Sequence, residues 1–193
     1  MTSRQAHHHS RSPFIAAAVT AFLALVGSLG LATTASAAAG SPYCGISWGS
    51  LEKASQGTDT ATMTNVRAGR HACYDRLVLD YQGRNDGYSV RYVPAITGLG
   101  LPQPVDLRGG ALLEIVVAQP YGPDTQSSYH PANRDELVDV TGWRTFRQVA
   151  WVELWESNST LGLGVRARLP FRVFALDGPG SGSRLVLDVA HQW

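Results

Sequence analysis

Three observations predict an all-β fold, a β-sandwich of two packed sheets with about eight short strands. Runs rich in Val, Leu and aromatic residues recur from "RLVLDY" at Arg76 to "RLVLDVAH" at Arg184, separated by Gly, Pro, Asn and Asp. "GVRARLPFRVF" alternates: Val165, Ala167, Leu169, Phe171 and Val173 share one parity while Arg166, Arg168 and Arg172 share the other. The pentapeptide RLVLD occurs twice, in "DRLVLDYQG" from Asp75 and "SRLVLDVAH" from Ser183, apolar on both parities as central strands covered on both faces are. The Arg and Asp at its ends are expected to reach the sheet margin and form ion pairs.

The chain opens with a leader, residues 1–39. Arg4 and Arg11 precede the uncharged run "PFIAAAVTAFLALVGSLGLA", which passes into "TTASAAAG". This is the pattern of a secretory signal peptide, with Ala35 and Ala37, or Ala37 and Ala39, at the small-residue positions that signal peptidase requires. Cleavage would place the mature N-terminus between Ala38 and Gly40. The competing reading is a retained anchor, because the apolar run approaches the length that spans a bilayer. His7, His8 and His9 would leave with the leader and are not read as a metal site.

Residues 40–70 read as an N-terminal extension, polar, rich in Thr, Ser and Gly, and without steady periodicity. Cys44 and Cys73 are the only cysteines, and in an exported chain an even pair reads as a disulfide that ties this extension to the domain. Residues 71–193 are the sandwich, with strands expected at "RLVLDY", "YSVRYV", "ALLEIVVA", "ELVDVTG", "QVAWVELW", "TLGLGVRARL", "FRVFAL" and "RLVLDVAH". "QGRNDG" between the first two suits a hairpin turn through Asn85, Asp86 and Gly87. "GPGSGS", from Gly178, suits another, since a phosphate-binding loop of that composition would have to open a helix. Residues 120–136 form a long Pro-containing loop of the kind that carries sites.

Sixteen Lys and Arg face fifteen Asp and Glu, and two of the basic residues lie in the leader. A near-neutral chain excludes nucleic acid as an expected partner, since phosphate recognition needs a cationic surplus. No catalytic residue, cofactor or metal is assigned. "GISWG" matches G-x-S-x-G but places Ser47 near the mature N-terminus, without the preceding strand a nucleophile elbow needs. His71, His130 and His191 lack ligand spacing. Asp135 and Glu136 are adjacent, whereas glycosidase carboxylates face each other across a cleft. "NST" at Asn158 reads as a turn.

"FRVFALDGPGSGSRLVLDV", from Phe171, resembles the closing half of the AMIN domain, and "YDRLVLDYQG" with "YSVRYV" resembles its opening hairpin. Together with "CGISWGS", "VRAGRHACYDRLVLD" and "TGWRTFRQVAW", these segments resemble the stand-alone AMIN-like proteins exported by high-GC Gram-positive bacteria. The resemblance implies a β-sandwich in the cell envelope, secreted and wall-associated. AMIN domains direct amidases and secretins to peptidoglycan, so it also implies a non-enzymatic module whose partner is peptidoglycan, with no membrane contact after leader cleavage; the alternatives are a structural protein that docks another cell-envelope protein without wall affinity, and an unrecognised hydrolase. No catalytic or pore domain accompanies it here.

Two constellations fit such a ligand, because aromatic faces stack on sugars and guanidiniums grip carboxylates. One is the stripe Arg166, Arg168 and Arg172. The other is Trp143, Arg144, Phe146, Arg147 and Trp151 in "WRTFRQVAW". The plainer reading makes the aromatics core and the arginines solvated surface.

Overall fold

A computed structural model of the chain describes residues 41–57, 61–98, 100–101, 103–118 and 129–193. All belong to the compact unit Gly40–Trp193, distinct from a unit Met1–Ala39. The leader and residues 120–128 of the long loop lie outside the described residues. Among the described residues, no helix is long and apolar enough to cross a membrane.

Nine strands follow one another among the described residues: β1 (Lys53–Ser55), β2 (Thr62–Arg70), β3 (Tyr74–Gln82), β4 (Tyr88–Val93), β5 (Ala111–Ala118), β6 (Phe146–Trp155), β7 (Asn158–Val165), β8 (Phe171–Asp177) and β9 (Ser183–Ala190). They form two antiparallel sheets, one ordered β1-β4-β5-β7-β6 and the other β2-β3-β9-β8. Leu77, Leu79, Phe171, Leu185 and Leu187 from the second sheet pack in one core with Leu113, Ile115, Val149, Leu161 and Leu163 from the first. The protein is a β-sandwich, as its sequence predicts.

The two RLVLD segments are neighbours at the centre of the four-stranded sheet. β3 and β9 run antiparallel in a register that sets Leu77 opposite Leu187, Val78 opposite Val186 and Leu79 opposite Leu185. Antiparallel pairing of a pentapeptide with its own copy also brings the Arg of each opposite the Asp of the other: Arg76 faces Asp188 and Asp80 faces Arg184. The leucines enter the core. Val78 and Val186 lie on the outer face yet are as buried as the core, flanked in register by Arg67 and Phe174, whose long side chains cover the sheet there.

Several segments depart from the sequence reading, each for a local reason. Residues 40–70 are more than an extension, for β2 is a full edge strand of the second sheet and buries Met63 and Val66. "QGRNDG" is not a hairpin turn; it carries the chain from β3 in one sheet to β4 in the other. Asn85 holds that crossing, donating Nδ2–H to Ala118 O at 2.6 Å and accepting Gly87 N–H on Oδ1. "ELVDVTG" forms no strand and runs along the β6 edge, with Leu137 N donating to Val149 O, before a turn at Gly142. Asn158 begins β7, and the turn before it is made by Glu156 and Ser157. "TLGLGVRARL" ends as a strand at Val165, because residues 166–170 cross between the sheets. "GPGSGS" does close the β8–β9 hairpin, with Gly178 N donating to Gly182 O.

Candidate ligand-binding face

The outer face of the four-stranded sheet carries a cluster centred on Asp188. In one cross-strand row Arg76 on β3, Asp188 on β9 and Arg172 on β8 stand side by side. Alternation along each strand sends all three away from the core. Arg76 donates Nε–H to Asp188 Oδ1 at 2.6 Å and Nη2–H to Oδ2 at 2.9 Å. From the other side, Arg172 donates Nε–H to Oδ2 at 2.9 Å, with Nη2 2.8 Å from the same oxygen. The carboxylate is 0% exposed, while the Arg76 and Arg172 side chains are 25% and 40% exposed. Hydrogen bonding to Asp188 raises the Arg76 pKa further above its ordinary value. Two guanidiniums around one carboxylate leave a net positive charge at the surface.

Aromatic rings surround these guanidiniums. Arg172 lies 4.5 Å from the ring centre of Trp48 and 5.0 Å from that of Phe174. Arg76 lies 5.3 Å from Tyr74 and 5.7 Å from Phe174. Trp48 meets Tyr74 edge-on at 5.6 Å, and His71 stacks on the same tyrosine at 4.5 Å. Such cation–π contacts restrict the guanidinium plane.

Trp48 does not belong to a strand and is held by a strap, residues 43–51. The Cys44–Cys73 disulfide joins the strap to the residue before β3, closing a loop with a sequence separation of 29. Phe171 N donates to Gly49 O at 2.9 Å, so the strap also pairs with the start of β8. Gly49 has φ +68°, a backbone conformation that a side chain would strain. Beyond it, Arg168 donates to Ser50 Oγ and Ser50 O.

The stripe expected from alternation therefore does not form one row. Only Arg172 joins the cluster. Arg168 reaches the strap and lies 4.9 Å from the Tyr92 ring, and Arg166 donates to His191 O.

The second constellation is elsewhere. Trp143 stacks on Phe146 at 5.9 Å and, with Arg147, lines an open cleft of about 810 Å³. Arg147 directs Nη1–H into the Trp143 and Phe146 carbonyls, while Arg108 pairs with Glu136. With Asp139 also lining it, the cleft balances two cations against two carboxylates. The Thr141 N–H bond holds the Asp139 carboxyl below its usual pKa. Arg144 is exposed and does not line this cleft. Phe146 and Trp151 are core residues.

A sequence model described as the AMIN-like domain matches residues 61–191, more than half of the chain. The chain belongs to the AMIN-like domain family. No curated protein matches it. Membership relates the AMIN-like chain to the cell envelope, and its disulfide fits an extracytoplasmic setting, where such bonds persist. The match contains Arg76, Arg172 and Asp188, whereas Trp48 and Cys44 precede it. Among the described residues of this AMIN-like sandwich, no group of three or more His, Cys, Asp or Glu side chains could hold a metal ion.

Arg76, Asp188, Tyr74, Phe174 and Trp48 are the residues that sequence reasoning missed. The signal for the first two was present in the repeat, since two copies of RLVLD paired antiparallel must oppose Arg to Asp. Nothing in the spacing signalled Trp48, which reaches the face on a strap held there by the disulfide and by the hydrogen bonds to Gly49 and Ser50.

Proposed function

We propose that the protein is an exported, non-enzymatic module of the cell envelope that binds peptidoglycan. The observation that carries this reading is the Asp188 cluster: two guanidiniums fixed by a buried carboxylate, framed by Trp48, Tyr74 and Phe174. Peptidoglycan presents flat C–H faces on its sugars beside ionised carboxylates on its stem peptides. Aromatic rings suit the former and guanidiniums the latter. Both arginines turn Nε and Nη2 to Asp188, and neither Nη1 donates to another described residue. These groups are available to a ligand carboxylate without breaking the cluster. The charge-balanced cleft at Trp143 supports the reading less well, because its guanidinium donors already serve Glu136 and backbone carbonyls.

Sedimentation of residues 40–193 with purified sacculi tests the proposal. Binding is expected at low salt and should weaken at physiological ionic strength, where surface attraction is screened beyond about 8 Å. Combined Trp48→Ala and Arg172→Ala substitution should abolish most of it, while Arg144→Ala should leave it unchanged. A wild-type protein that stays in the supernatant at low salt contradicts the proposal.

A further inference from the structure

Beyond Trp48 the strap leads to a second aromatic and cationic group. Trp193 is 65% exposed, but its indole is fixed, with Nε1–H donated to Arg168 O at 2.9 Å. Arg168 in turn holds Ser50 through Nε and Nη2 at 3.2 and 3.0 Å and rests on the Tyr92 ring. Tyr92 is fixed as well, donating its hydroxyl to Leu169 O and accepting Leu169 N–H, both at 2.9 Å. Arg168 and Tyr92 line a shallow cleft of about 470 Å³ with Gly109 and Gly110, and no acidic side chain lines it. Among the described residues that line it, the guanidinium is the only charge.

These groups adjoin the Asp188 face. Trp48 and Ser50 are two residues apart, at most about 7 Å of chain, and Arg168 touches Ser50 directly. Leu51, next to Ser50 in the chain, is 75% exposed. Guanidinium, aromatic, guanidinium and aromatic thus follow one another as Arg172, Trp48, Arg168 and Trp193, with Ser50 joining the middle pair. A path of this kind exceeds the reach of a single sugar ring and its substituent. It suits a linear glycan whose repeating units carry ionised stem peptides at intervals.

We infer that Trp193, Arg168 and Tyr92 form a second subsite for the same anionic glycan, so that the protein reads an extended strand rather than a single repeating unit. The inference rests on the peptidoglycan reading, and it adds Arg168, which the alternation placed on one sheet face with Arg172 but which acts from the crossing between the sheets. Engaging two subsites on one ligand multiplies affinity through effective concentration, an advantage that a ligand too short to span them loses.

The test compares two soluble probes by calorimetry or fluorescence: disaccharide-peptide monomers released from sacculi by a muramidase, and strands of several such disaccharides that keep their stem peptides. Wild-type protein should bind strands at least about tenfold more tightly than monomers. Trp193→Ala and Arg168→Gln, each checked for an unchanged circular dichroism spectrum and melting curve, should remove that advantage and alter monomer affinity less than about twofold. Trp48→Ala should weaken both probes. Equal wild-type affinity for strands and monomers, or an undiminished strand preference in both variants, overturns the second subsite while leaving wall binding in place. Failure of the wild type to bind either probe overturns the wall reading, and the subsite with it.

Discussion

Asp188 is the residue on which the face depends. Fully buried and fixed between two guanidiniums that still reach water, it resembles a buried ion pair from one side and a surface pair from the other. Replacing it with Asn keeps the shape but leaves two cations without a counter-charge. Breaking a fully buried pair costs about 3–5 kcal/mol, and the partial exposure of both arginines reduces the expected loss to about 2 kcal/mol. Urea denaturation checks this, and a change below about 0.5 kcal/mol would show that the cluster does not contribute to stability. On the same outer face Val186→Ala should cost about 1–3 kcal/mol, because the covering side chains make it a packed site; a neutral result in the same melts would mean that Phe174 and its neighbours do not pack over it. Ion pairing at the ends of RLVLD was legible in the sequence, but only half of it forms as a mirror pair. Asp80 is bound bidentately by Arg67 from β2, and Arg184 donates to Asp177 O instead. The outcome depends on which strand lies beyond each central one, and a local pattern does not contain that.

At the scale of elements, the strap is the part that the disulfide should govern. A loop of this length stabilises the fold by about 3.5 kcal/mol in the chain-entropy model, which is about 10 °C in melting temperature for a domain of this size. Thiol labelling of denatured, unreduced protein should detect no free cysteine. Reduction should lower the melting temperature and, by freeing Trp48, weaken sacculus binding as Trp48→Ala does. Reduced protein that binds and melts like the oxidised form would separate the strap from both roles. The strands whose apolar residues alternate or run together were legible, as β3, β4, β5, β6, β8 and β9 illustrate. β2 was not, because a bulge between Met63 and Asn65 breaks the two-residue period that would have joined Met63 to Val66. The Arg166, Arg168 and Arg172 pattern misled for the opposite reason. Ala167 and Leu169 do pack on the core, so the parity is kept, yet the chain is crossing between sheets and Pro170 has no N–H to extend a ladder. Parity reports which side faces the core; it does not report which sheet the residue belongs to.

At the scale of the whole molecule, the sandwich buries its two sheets against each other and presents the outer face of the smaller one, with the strap along its edge, as a candidate binding surface. The leader predicts that protein secreted by its native host begins between Ala38 and Gly40, which intact-mass measurement checks; a mass that retains Phe14 would indicate an anchored form. The central claim is that the Asp188 face, not the Trp143 cleft, receives the wall polymer. An NMR titration of isotope-labelled residues 40–193 with soluble disaccharide-peptide tests it most directly. The account predicts that the largest shifts fall on the Trp48 indole, the Arg76 and Arg172 Nε–H groups and the amides of β8 and β9. Shifts confined to Trp143, Arg147 and the turn at Gly142 would contradict it.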